Sequence, residues 1–351
     1  MRLIIHCGLH RAASTSFERW LEDRKPALDA QGILVAGGSS DGSLLGSVWG
    51  RTLELAGPEA AAAAIGEELA ALAPRYRCAI ITDENALGGL PRCGVPAFSA
   101  ADRLARLLGL LSAAHEVVPV LILREHLAWL ESLYRIAQFR CETAGYDVFR
   151  AEVFSGNLPF SGLLDTLAGA APALQVSSLE AIAHDDGRTF LDGVCRLLDI
   201  GPERALSLPK SNVSPNRLVC ALRQAVARRA GFLVLKGQKD LLAALTRLSQ
   251  NPDQPRPERV LARIADMVCR QTVRMPESPK FHERLALGQA LTGGGGPPWL
   301  SAADALTAVA DAVEASARPL VTPAVLTRLR AGFAADRRAI ASRHAVLWDH
   351  D

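Results

Sequence analysis

Several features are scarce in this sequence, and each scarcity excludes a class of protein. Aromatic residues make up only 5% of 351 residues while hydrophobic residues make up 49%, and alanine, leucine and arginine dominate. That composition describes a helix-rich globular chain with enough apolar surface for a sizeable core, not a disordered one. Charge of one sign is also missing. The formal net charge is +2, so no bulk field draws the chain to nucleic acid or an anionic membrane, and any anion site must be built locally. The seven cysteines (Cys7, Cys78, Cys93, Cys141, Cys195, Cys220 and Cys269) are odd in number and never form a CxxC pair, which argues against a disulfide framework and a zinc site. Long apolar runs are absent too. Only three apolar residues separate Arg2 from His6, too few for a signal-peptide core, and no stretch approaches the roughly 18 to 20 residues that cross a bilayer. The expectation is a soluble, cytoplasmic protein with reduced thiols, in which Asn212-Val213-Ser214 carries little weight as a glycosylation sequon.

What is present is a series of short apolar runs separated by helical patterns. Leu3 to Ile5, Gly32 to Val35, Ala79 to Ile81 and Val117 to Leu123 read as strands, with Leu174 to Val176 a weaker fifth. Ser16 to Asp29, Pro58 to Ala73, Ala100 to Ala114 and His126 to Phe139 read as helices between them. Continuous apolar strands alternating with helices predict an α/β fold, a doubly wound parallel sheet of about four to five strands. Beyond about residue 180 the pattern is helical: Arg188 to Leu198, Pro215 to Arg229, Lys239 to Ser249, Arg259 to Thr272, Ser301 to Ala315 and Pro323 to His344. Breaker-rich connectors run from Asn251 to Pro257 and from Thr292 to Pro298. The expected organisation is one domain over 1–351, with an α/β core in 1–200 and a mainly helical part in 201–351.

The first strand runs into Gly8-Leu9-His10-Arg11-Ala12-Ala13-Ser14-Thr15-Ser16. A strand-to-helix junction gathers free backbone N–H groups and the positive end of a helix dipole, the geometry that holds phosphate or sulfate. Arg11 adds a fixed charge, and Ser14, Thr15 and Ser16 add hydroxyls. Thr15 and Glu18 have capping-box spacing, which places the helix start near Thr15. With alanine at 13, the loop is expected to turn with ordinary dihedrals. No Gly-Lys-Ser/Thr follows Gly8 at Walker A spacing, which disfavours a magnesium-dependent nucleoside triphosphatase. A second cation and hydroxyl stand at the end of the fourth apolar run, where Arg124 is followed eight residues later by Ser132 and then by Tyr134.

Together these two segments resemble the PAPS-dependent sulfotransferases, especially bacterial enzymes of the carbohydrate-type group. That family's first strand leads into a loop of the form Gly-x-x-Lys-Thr-Gly-Thr-Thr-Ser, and a later strand ends in Arg followed by Ser-x-Tyr. Arg11 stands here for the lysine, and Ala12-Ala13 for Thr-Gly. The resemblance implies a donor site for 3′-phosphoadenosine-5′-phosphosulfate. Arg11, Ala12, Ala13, Ser14, Thr15 and Ser16 would hold its 5′-phosphosulfate end and Arg124 with Ser132 its 3′-phosphate, leaving 3′-phosphoadenosine-5′-phosphate as product and using no metal. Thr82-Asp83-Glu84, Asn212 to Ser214 and the helix around Phe333 to Arg338 extend the likeness less specifically.

Sulfuryl transfer asks the protein mainly to position the reactants and to neutralise charge on the leaving oxygen, the role given to Arg11 with Ser14 and Thr15. A general base must face the acceptor. Glu84, at the carboxyl end of the third strand, is the first choice, with Asp83 and His10 as substitutes. His6 and His10 do not share a helix face and are not read as metal ligands. Trp20, Trp49 and Trp129 are read as core. Two other readings stand beside this one: a P-loop kinase or ATPase using Asp83 and Glu84 as a Walker B-like pair, and a nucleotide-binding relative without turnover. The expected partner is a small-molecule or carbohydrate acceptor bearing a hydroxyl or amine, with no role for nucleic acid. Its recognition is expected from 36–56, 85–99 and 135–165, together with segments of the helical half.

Overall fold

The computed structural model describes residues 1–37, 57–91, 95–139, 146–154, 160–201, 207–209 and 319–344, and singly 217, 220, 221, 225, 307, 310–312, 314 and 315. The expected helices between Lys239 and Thr272, both breaker-rich connectors, Trp49, Cys93, Cys141, Cys269, Asn212 and Ser214 lie outside these residues, as do most of Pro215 to Arg229 and of Ser301 to Ala315.

Five parallel strands form one sheet: β1 (Arg2–Cys7), β2 (Ile33–Gly37), β3 (Cys78–Asp83), β4 (Glu116–Leu123) and β5 (Gln175–Ser178). Their order is β2-β3-β1-β4-β5. The four expected strands and the weaker fifth are all present. β1, β3 and β4 are buried almost throughout, as continuous apolar runs require when helices cover both faces of a parallel sheet. The central β1 pairs with β3 on one side, Ile5 opposite Ile81, and with β4 on the other, Ile4 opposite Val118.

The flanking helices are α1 (Ser14–Asp29), α2 (Gly57–Leu72), α3 (Ala101–Ser112), α4 (His126–Phe139), α5 (Tyr146–Phe154), α6 (Phe160–Ala170), α7 (Leu179–His184), α8 (Arg188–Leu198) and the carboxyl-terminal α9 (Pro323–Arg343). On one face, Phe17 of α1 lies edge-on to His6 of β1 at 4.9 Å and to Phe190 of α8 at 5.2 Å. Right-handed crossovers from β2 through β5 put α2, α3 and α6, which pack on one another, on the opposite face. One carboxylate docks α9 onto this core. Asp336 accepts the Nε2–H of buried His126 at 2.7 Å and the backbone N–H groups of Phe160 at 2.9 Å and Ser161 at 3.1 Å, so it caps α6 from a distant helix.

The chain divides into two compact units, one comprising 1–133, 150–212 and 323–351, the other 134–149 and 213–322. The first holds the sheet. In the second, Tyr134 meets Tyr146 edge-on at 5.0 Å and Phe149 at 5.5 Å, and Cys220 Sγ donates to the Arg135 carbonyl. α9 belongs to the first unit.

Candidate functional site

β1, β2 and β3 lie to one side of the β1–β4 junction, and β4 and β5 to the other, so chain direction across the sheet reverses between the carboxyl ends of β1 and β4. Such reversal points open a crevice in which ligands of α/β sheets gather. The loop after β1 and Arg124 after β4 both lie there.

Gly8 opens the loop, its N–H donating to the Asp83 carbonyl at 3.0 Å. A Cβ on Gly8 would overlap Glu84 Cα, so the backbones of the two strand ends approach as only glycine allows. The loop then turns through two residues in the left-handed region, Arg11 at φ 68° and Ala13 at φ 65°. This corrects the expectation of ordinary dihedrals: Ala13 adopts the conformation that glycine takes cheaply, at a cost of about 1–2 kcal/mol. The capping box is corrected as well. α1 begins at Ser14, its N-cap is Ala13 with no side-chain cap, and Ser14 Oγ instead donates back to the Leu9 carbonyl at 3.1 Å. The loop is further pinned by Trp129, whose indole N–H donates to the His10 carbonyl at 2.7 Å while its ring stacks on Phe98 at 5.5 Å. His10 Nε2 lies 3.2 Å from the Gly88 carbonyl, which only accepts, so that nitrogen carries the proton.

The cations converge. Arg124 Nη1 donates to the backbone carbonyl of Arg11 at 3.0 Å, and Arg11 Nε donates to Ser132 Oγ at 3.1 Å. Three residues read from two segments therefore form one cluster at the β1–β4 crevice. The arginines are half-buried and Ser132 is buried. In this arrangement the expected phosphosulfate cation and the expected 3′-phosphate hydroxyl are bonded to each other, a single cluster instead of two spaced pockets.

On the β3 side the chemistry is acidic. Asp83 Oδ1 accepts the Asn85 N–H at 2.7 Å, and burial raises its pKa. Glu84 is half-buried beside Gly8. Sequence reasoning missed the third carboxylate of this flank, because it assigned Glu18 to a cap. Glu18 accepts a hydrogen bond from Thr82 Oγ1 at 3.3 Å, and burial, then the Glu84 charge, push its pKa up to about 7. Thr82 has one proton to give, so His6 Nδ1, 2.8 Å from the same oxygen, is the donor to it. His6 Nε2 is then an unprotonated nitrogen, buried with no partner among the described residues, and burial pulls the His6 pKa down to about 3. The only local signal for Glu18 is its place one turn inside α1 on the side carrying buried Ser14.

Comparison with known proteins adds no relative: no family model matches the chain, nor does any curated protein or solved structure. Among the described residues no helix is long and apolar enough to cross a membrane.

Proposed function

We propose that the protein is a sulfotransferase moving a sulfuryl group from 3′-phosphoadenosine-5′-phosphosulfate to a hydroxyl or amine of a carbohydrate or other small acceptor. The observation that carries this reading is the meeting of Arg11, Arg124 and Ser132 at the crevice between β1 and β4. Two guanidiniums and a hydroxyl beside a helix N-terminus without a side-chain cap match the chemistry of a nucleotide with two anionic ends. The residues fit the donor, which supplies the activated sulfuryl group when bound. Arg124 and Ser132 hold the 3′-phosphate in this reading, and Arg11 exchanges its bond to Ser132 for one to the phosphosulfate. Arg11, the Ser14 and Thr15 hydroxyls and the loop N–H groups through Ser16 stabilise charge on the leaving phosphate oxygen. Glu84 takes the acceptor proton, on the acidic flank across the loop.

The test is transfer of radiolabelled sulfate from the donor, with mass spectrometry of a metabolite extract for species gaining ~80 mass units, the SO3 increment expected of group transfer to an oxygen or nitrogen. Arg11→Ala is expected to abolish transfer, a fall of at least about a hundredfold, with the circular dichroism spectrum unchanged. Transfer that survives this substitution contradicts the assignment. Binding of the nucleotide without transfer under any acceptor supports the non-catalytic relative. Magnesium-dependent ATP hydrolysis supports the kinase or ATPase reading through Asp83 and Glu84.

A further inference from the structure

We propose that the protein has a second ligand site, for a small organic carboxylate with an apolar body, in the cavity between the β4–β5 side of the sheet and α8. The cavity measures about 470 Å³, inside the range of about 300–1,000 Å³ typical of small-molecule pockets. It reaches the rim opposite the Arg11 loop: Arg2 and Glu116, which line it, are the first residues of β1 and β4, whereas Arg11 and Arg124 follow the last. It therefore stands apart from the donor site and does not rest on the sulfotransferase reading.

The lining sets the ligand class. Val120, Ile182, Phe190 and Val194 give the lining apolar surface, and Arg2, Glu116, Thr189 and Arg196 give it polar groups. Arg2 Nε holds Glu116 at 3.0 Å, which spends the one acidic charge of the lining, and Arg2 Nη1 donates to the Leu197 carbonyl at 2.8 Å. The exposed Arg196 then leaves the cavity net positive, and a guanidinium matches a carboxylate in a fork geometry. An apolar body against the aliphatic and aromatic lining with a carboxylate at Arg196 uses both kinds of surface.

Gly193 lies on the wall of this cavity. It lies inside α8, where glycine is unfavourable relative to alanine. Neither a positive φ nor a close approach requires it, for a Cβ at 193 would meet only Arg196 Nη2, at 3.8 Å. What the missing side chain leaves open is the cavity.

The test titrates the full chain with phenylbutyrate, phenylbutanol and phenylbutylamine by ligand-observed NMR. Saturable binding is expected for the carboxylate, at least about tenfold weaker binding for the alcohol, and none for the amine. Gly193→Phe, which fills the space, is expected to abolish phenylbutyrate binding, and Arg196→Glu, at an exposed position, to weaken it at least about tenfold. Absence of saturable binding overturns the proposal, as does equal binding of the three probes or unchanged binding in both variants. Displacement of phenylbutyrate by 3′-phosphoadenosine-5′-phosphate also overturns it, because that places the probe at the Arg11 loop. If Gly193→Phe does not fold, Arg196→Glu decides the matter.

Discussion

His6 and Glu18 sit on one hydrogen-bonded chain through Thr82 and oppose each other in their response to acid. His6 has a folded pKa of about 3 against 6.5 unfolded, so below pH 6.5 the unfolded chain binds the extra proton and stability falls as pH falls. Glu18 has a folded pKa of about 7 against 4.5, so between those values the folded chain binds the extra proton and stability rises as pH falls. Between pH 4.5 and 6.5 the two nearly cancel. Glu18→Gln removes the compensating proton uptake, and its unfolding free energy is expected to drop more steeply than that of the unmodified chain over this window, by up to about 1.4 kcal/mol per pH unit. Urea titrations at several pH values read this directly; identical slopes in the two proteins contradict the titration assigned to Glu18. At the loop, Ala13→Gly is expected to raise stability by about 0.5 kcal/mol, the left-handed strain relieved minus the added entropy of the unfolded chain. A loss of stability there means that the Ala13 methyl contributes contacts outweighing its strain.

Elements were legible where their cause is local. The runs Leu3 to Ile5 and Val117 to Leu123 announce buried strands because burial on both faces leaves no polar position to interrupt them. Arg124 and Ser132 were legible for the same reason, each fixed by its distance from the end of one strand. The start of α1 was misread because the N-cap is a strained alanine and Glu18 is drawn to Thr82, 64 residues away. Equally illegible was the cap of α6, since its carboxylate arrives from α9, 175 and 176 residues further along. Burial would raise the Asp336 pKa, but the His126 and Ser161 donors outweigh it and hold it below the usual carboxylate range. Its share of stability is therefore present above the ordinary carboxylate pKa and lost as acid approaches the lowered one. Asp336→Ala is expected to cost about 2–4 kcal/mol, since it removes the acceptor of a buried imidazole N–H and of two helix N–H groups together. Hydrogen exchange should then rise in both α6 and α9; protection lost in α9 alone contradicts the bridging role.

At the scale of the whole molecule, strand order is what turns separate motifs into a site. The order β2-β3-β1-β4-β5 puts the ends of β1 and β4 side by side, so an arginine at 11 and one at 124 become neighbours across 113 residues. Sequence spacing carries each motif but not their contact, which belongs to the sheet. The same sheet sets a basic side toward β4 and an acidic side toward β3 on the two flanks of one loop, the division that the proposed transfer uses for its donor and its proton acceptor. The central claim is that the Arg11–Arg124–Ser132 cluster binds a nucleotide with phosphates at both ends of its ribose. Isothermal titration of the full chain with 3′-phosphoadenosine-5′-phosphate, without metal, tests it most directly. Saturable binding weakened at least about tenfold in both Arg11→Ala and Arg124→Ala, with ATP and magnesium binding more weakly, is the predicted result. Failure of the nucleotide to bind, or binding untouched by both substitutions, contradicts it.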